Sequence, residues 1–241
     1  GDPVRWRSGG PPDITGAGRI LKRAAALGTI GISIDMVWFH WATQGPQYYL
    51  MAQLAWQPDR EIEDIMDDYY TAGFGPAADN IRDYWRLLEH NRQAIQKNEA
   101  SWEEAFSAQF FQQAYGLLDQ AAVLTADSGA GYAPRVEFVR AGLDYLRLNT
   151  ANQKLARNLV ESSGPEDEIR KEMLTNWEQI FAIAERHPWA LNRAQTGRNP
   201  AANRMNYIHP DADHMAMEKE RLHRARRAAR RQVADDPEDL E

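Results

Sequence analysis

The chain contains no cysteine. Disulfide frameworks and thiolate-bound metal sites are therefore excluded, which fits either a cytosolic protein or an exported one without bridges. A membrane-length apolar run is missing, as is a signal segment at the start. A basic excess is missing too. The 28 Lys and Arg stand against 35 Asp and Glu, a formal net charge of −7, whereas general nucleic-acid binding needs a basic surface. No initiator Met precedes Gly1-Asp2-Pro3. The expectation is a piece of a longer protein, with any export signal of the parent lying upstream. No internal repeat is visible.

What is present is material for a core. Of 241 residues, 43% are apolar and eight are Trp, enough for one large domain or two small ones. The organising stretch is residues 29–59. Thr29 to Ile34 is a short β-branched run that reads as a strand. Asp35, Trp38, His40 and Trp41 follow closely, then a turn at Gln44, Gly45 and Pro46. Gln47 to Trp56 has almost no polar residue, so the spacing predicts a helix covered on all sides.

Elsewhere the chain is helical by periodicity. After a lead-in rich in Gly and Pro, Ala17 to Leu27 predicts a helix with Ile20, Leu21, Ala24 and Leu27 inward. Asp59 is a candidate N-cap for a helix bearing Ile62, Ile65, Met66, Tyr69 and Tyr70 on one face. Gly73 and Gly75 end it, and Pro76 suits the first turn of the next helix, whose apolar stripe is Ile81, Tyr84, Trp85 and Leu88. Trp102 and Phe106 lead into a helix with Phe110, Ala114, Leu117, Ala121 and Leu124. A long helix from about residue 135 to 160 carries Val136, Val139, Leu143 and Leu146. Another, ending near Arg186, carries Ile169, Met173, Ile180 and Ala184. Trp85, Trp102 and Trp177 fit core positions, and His90 and His187 read as structural. Three regions result: 1–58, an αβ unit; 59–186, a helical domain; and 187–241, an irregular segment with a basic helix and an acidic tail.

Three groups could carry chemistry. Asp35, Trp38, His40, Trp41 and Gln44 offer what a sugar site uses: aromatic faces for C–H surfaces, and carboxylate, imidazole and amide groups for hydroxyls. The bland alternative is two core Trp beside residues that satisfy nearby backbone; for the cluster as a whole a ligand-facing loop is the better reading. His209, Asp211, Asp213 and His214 could bind a divalent ion, but Pro210 and the spacing match no standard ligand set, so no metal site is assigned. The Arg-rich helix around Arg221 to Arg231 lacks stacking aromatics and a strong apolar side. It reads as solvated, and neither a nucleic-acid nor a membrane partner is assigned. No cofactor motif is found.

The residues His40-Trp41-Ala42-Thr43-Gln44-Gly45-Pro46, Tyr48-Tyr49 and Leu54-Ala55-Trp56-Gln57-Pro58-Asp59 resemble a glycoside-hydrolase-like family, domain of unknown function 4838, which is similar to the α-glucuronidases. Asp67-Asp68-Tyr69-Tyr70 and Phe74-Gly75-Pro76-Ala77-Ala78 continue the likeness, which covers roughly residues 15 to 90. The resemblance implies that Thr29 to Ile34 is the last strand of a (β/α)₈ barrel and that residues 35–44 line a sugar subsite at its C-terminal face. It implies that the catalytic carboxylates come from earlier strands outside this chain, so no catalytic residue is named. The expected fold is mainly α, a multi-helix C-terminal domain with one strand–helix unit. The expected function is that of the C-terminal portion of a carbohydrate-active protein, inactive alone, whose partners are a glycan and the N-terminal barrel portion. The alternative is a helical interaction or oligomerisation module, including a homodimer, using aromatic faces around Tyr69 and Trp85.

Overall fold

The computed structural model describes residues 12–33, 41–129, 131–161 and 165–191. These residues are mainly helical, and no strand forms among them. The helices are α1 (Ile14–Ala26), α2 (Trp41–Trp56), α3 (Ile62–Phe74), α4 (Ala78–Gln96), α5 (Trp102–Ala105), α6 (Ala108–Thr125), α7 (Tyr132–Glu161) and α8 (Glu166–Arg186), with a 3₁₀ turn at Gly75–Ala77 before α4. Local chemistry explains most boundaries. The Asp13 side chain accepts from the Gly16 N–H and starts α1. Ser101 and Glu104 form a reciprocal capping box on α5, and the Ser107 hydroxyl accepts from the Phe110 N–H at the head of α6, satisfying donors a helix start would otherwise leave open. Gly75, at φ 52°, closes α3 in a conformation that side chains resist.

The main core runs from α1 to α7. It holds Leu50 and Leu54 of α2, Ile65 and Tyr70 of α3, Ile81, Tyr84, Trp85 and Leu88 of α4, Phe110 and Leu118 of α6, and Val136, Leu143 and Leu146 of α7. Periodicity placed α3, α4, α7 and α8 on their observed buried faces. On α6 Phe110, Ala114 and Ala121 are buried as expected, but Leu118 and Thr125 are buried where Leu117 and Leu124 were expected; Leu117 is partly buried and Leu124 exposed. A second cluster joins Tyr145 and Leu148 of α7 to Trp177, Ile180 and Ile183 of α8, together with Ala42, Ala190 and Leu191. A third, smaller cluster lies further along the same two helices: Leu155, Ala156, Leu159, Ile169 and Met173.

A polar layer separates the second and third clusters. Asn149, Asn152 and Asn176 are buried, and Asn176 Nδ2 donates to Asn152 Oδ1 at 2.9 Å. Asn149 Oδ1, Thr150 Oγ1, Asn152 Nδ2 and Gln153 Nε2 have no hydrogen-bond partner among the described residues. Each such atom left dry costs about 1–3 kcal/mol.

Several expectations are corrected. Residues 29–33, the described part of the expected strand, form no ladder. Ile30 and Ile32 are exposed, at 105% and 38%. A single strand has no stability without neighbours to pair with, and β-branched composition supplies none. On α1 the inward face is Ile14, Gly18 and Leu21, while Ile20 and Leu27 are exposed. Gly18 sets this phase: a Cβ there would lie 2.6 Å from Ile62 Cδ1 and 3.1 Å from Leu50 Cδ2, so the helix packs on its glycine edge. Thirdly, α2 begins at Trp41 and runs through Gln44, Gly45 and Pro46 instead of turning there. It is also not covered all round, since Ala52, Ala55 and Trp56 face solvent. The cap of α3 moves too, from Asp59 to Glu61.

Candidate functional site

The head of α2 carries the described part of the aromatic–polar group. Trp41 opens the helix and is 41% exposed. Its ring meets Tyr48 edge-on at 4.9 Å and 71°, an arrangement aromatic quadrupoles favour. Burial raises the Tyr48 hydroxyl above its ordinary pKa. Gln44, one turn on, is half-buried. Asp35, Trp38 and His40 lie outside the described residues, as do the His209–His214 group and the Arg-rich segment from Arg221 to Arg231.

The head is held from two directions. Ala42 is buried, and its N–H donates to the Ala190 carbonyl at 3.3 Å. On its other side, a Cβ at Gly142 of α7 would lie 2.5 Å from the Ala42 oxygen and 2.8 Å from its carbonyl carbon. The two backbones therefore touch where α7 has no side chain. Pro46 contributes to the same contact. It has no N–H for the Ala42 carbonyl, its usual partner four residues back, so that oxygen is spared for the α7 face. Thr43 and Pro46 are buried beside it.

Polar contacts fix the rest of the unit. The Asp13 N–H donates to Gln47 Oε1 at 2.7 Å, tying the start of α1 to α2. The Thr15 N–H donates to Glu89 of α4 at 2.7 Å, and Arg92 lies 3.7 Å from the Asp13 carboxylate. At the far end of α2, Arg60 donates to Gln53 at 3.0 Å, and Lys22 of α1 donates to the Arg60 carbonyl at 2.8 Å and to Glu61 at 3.0 Å. Tyr49 donates to Asp68 of α3 at 2.6 Å, which, with lesser burial, raises its pKa.

Sequence reasoning missed the seating of Ala42 on Gly142 and Ala190. An isolated Gly inside a strong helical pattern was the available signal, since it marks a close backbone approach. Residues 10–86 match the family model described as Domain of unknown function (DUF4838). The match supports that family for this part of the chain; it takes in α1, α2 and α3 and ends within α4. No curated protein and no solved structure matches the chain.

The DUF4838 segment thus contains the Trp41 surface, and α7 with the turn after α8 supports it from outside the matched range. Chemically, the described surface can stack and donate amide hydrogen bonds. No group of three or more His, Cys, Asp or Glu that could hold a metal ion occurs among the described residues. No helix among them is long and apolar enough to cross a membrane.

Proposed function

We propose that this chain is the C-terminal portion of a carbohydrate-active, glycoside-hydrolase-like protein, in which residues 29–59 form one wall of a sugar site and the later helices support it. One observation carries the reading: of the large apolar residues left in solvent among the described residues, Ile20, Leu27, Ile30, Ile32, Trp41 and Trp56 fall within the segment that matches DUF4838, against Val123, Leu124, Leu174 and Trp189 in the longer remainder. An uncovered apolar surface of this kind marks a place where something else packs. Residues 29–33 suit a strand paired into a barrel sheet, and the outer side of α2 suits the neighbouring units of that barrel. Asp35, Trp38, His40, Trp41 and Gln44 then hold a glycan, with uronic-acid sugars the first class to try, and the reacting carboxylates come from the barrel portion.

The test compares hydrolysis of a glycan panel by this chain and by the full-length parent. Turnover by the parent, none by the chain, and weakened substrate binding in the parent carrying Trp41→Ala is the expected result. Robust turnover by the chain alone overturns the reading.

The same exposed residues favour a second reading, an interaction module. Trp85 is buried and Tyr69 packs against the same core, so a partner would use the Trp56 side of α2 instead. Sedimentation of the parent with Trp56→Asp separates the two: loss of an assembled state with intact hydrolysis supports the module.

A further inference from the structure

We infer that the distal ends of α7 and α8, which carry Leu155, Leu159, Ile169 and Met173, open together about a hydrated carboxamide layer while the rest of the bundle stays closed. The layer is Asn149, Asn152 and Asn176. Within about one turn of α7, Asn149 Oδ1 and Asn152 Nδ2 of the layer, and Thr150 Oγ1 and Gln153 Nε2 next to them in sequence, are buried atoms with no hydrogen-bond partner among the described residues. Buried groups of this kind bind water, which typically takes about three such bonds. A wetted layer interrupts the packing that makes a helix pair cooperative, because apolar contacts on either side no longer support each other.

The two sides of the layer are unequal. Towards the main core, Tyr145, Leu148, Trp177 and Ile180 are all within 2% of full burial. Beyond it, Leu155, Ala156, Leu159 and Ile169 stand at 8–9%, and Met173 alone reaches 2%. One tie to another element is the ion pair of Arg157 with Glu103 of α5, whose side chains are 48% and 39% exposed. Pairs this accessible hold little. The distal cluster is therefore small, five buried apolar residues cut off from the next cluster by the polar layer, and the low-stability end of a protein is drawn from such places.

Hydrogen exchange of the full chain by mass spectrometry, in buffer and in low urea, tests this. Amides at 155–161 and 166–173 should exchange at least about tenfold faster than those at 139–148 and 177–184, with little urea dependence, as local opening requires. The variant with Asn149→Leu, Asn152→Leu and Asn176→Leu dries the layer and should slow distal exchange about tenfold, leaving 139–148 unchanged. Asn149→Leu alone removes an acceptor without breaking a hydrogen bond and serves if the triple variant does not fold; it too should slow the distal amides. Equal exchange on both sides of the layer in the wild type overturns the inference. So does distal exchange that Asn149→Leu leaves unchanged, since that is plain fraying of helix ends.

Discussion

Gly142→Ala should destabilise the protein, although the same change in an open helix stabilises. Ala is favoured over Gly in a helix interior by about 1 kcal/mol. At Gly142 the new methyl would sit 2.5 Å from the Ala42 oxygen, 2.8 Å from its carbonyl carbon and 3.0 Å from its Cβ. Carbon-sized neighbours rest near about 3.5 Å, so the head of α2 must retreat by about 1 Å. It cannot do so freely. The Ala42 N–H is bonded to Ala190, and Thr43 and Pro46 are buried alongside. Overpacking against backbone costs about 1–3 kcal/mol, and more where the neighbour is tied on its far side. The net expectation is a loss of about 1–2 kcal/mol, or a Tm lower by about 2–8 °C at this chain length. Gly116 of α6 is the control, because a Cβ there meets nothing within 4 Å. Gly116→Ala should gain up to about 1 kcal/mol. Urea denaturation of both variants at matched m-value reads the difference. A Gly142→Ala protein as stable as the parent, or a destabilised Gly116→Ala protein, refutes the claim that α2 is seated on a glycine of α7.

Alkaline stability follows from the buried tyrosines. Burial is the largest cause holding Tyr69, Tyr70 and Tyr84 well above the ordinary 10.0. Tyr115 is pushed up to about 12, by burial first and then by its hydrogen bond to Asp144. A raised folded-state pKa gives stability that is whole below pH 10 and lost as pH climbs through the folded values, so denaturation midpoints should fall above pH 10, and a late step of phenolate absorbance from these buried tyrosines should coincide with unfolding. Ser101→Ala removes the hydroxyl that accepts from the Glu104 N–H and should cost about 1 kcal/mol by thermal melt. The Ser101 backbone and side chain hold the Glu104 carboxyl below its usual pKa, so that group's contribution is present above the ordinary value of 4.5 and fades as pH falls below it. Trp41→Ala should cost about 1 kcal/mol by thermal melt, well short of the loss at a core Trp, because its ring is 41% exposed and meets the Tyr48 ring edge-on. A large loss would place that ring in the core.

How much was legible depends on what each residue packs against. Ile81, Tyr84, Trp85 and Leu88 were readable because a whole stripe of large side chains fixes the phase of α4. On α1 the largest apolar residues misled, since close approach at Gly18 outweighs burial of Ile20. Composition could not tell a strand at 29–33 from unpaired chain, because a ladder is a property of two segments. Gln44-Gly45-Pro46 has turn chemistry locally, yet neighbours at Gly142 and Ala190 make a continuous α2 the better-packed choice. For the site, sequence pattern grouped Trp41 and Gln44, but in a loop turning at Gln44. That both lie on one helix head follows from a seat made by residues about a hundred or more positions away, Gly142 and Ala190.

The bare stretch at 29–33 also has a consequence for handling the protein. Residues 29–33 carry no charge, three of the five (Thr29, Ile30 and Ile32) are β-branched, and all five are open to solvent. Short uncharged segments of this type zip onto copies of themselves. As protein concentration rises, molecules should meet through this stretch before any helix loosens, giving oligomers built from intact monomers. Ile30→Lys places a charge within the would-be seam and should keep the chain monomeric by sedimentation, without touching its core.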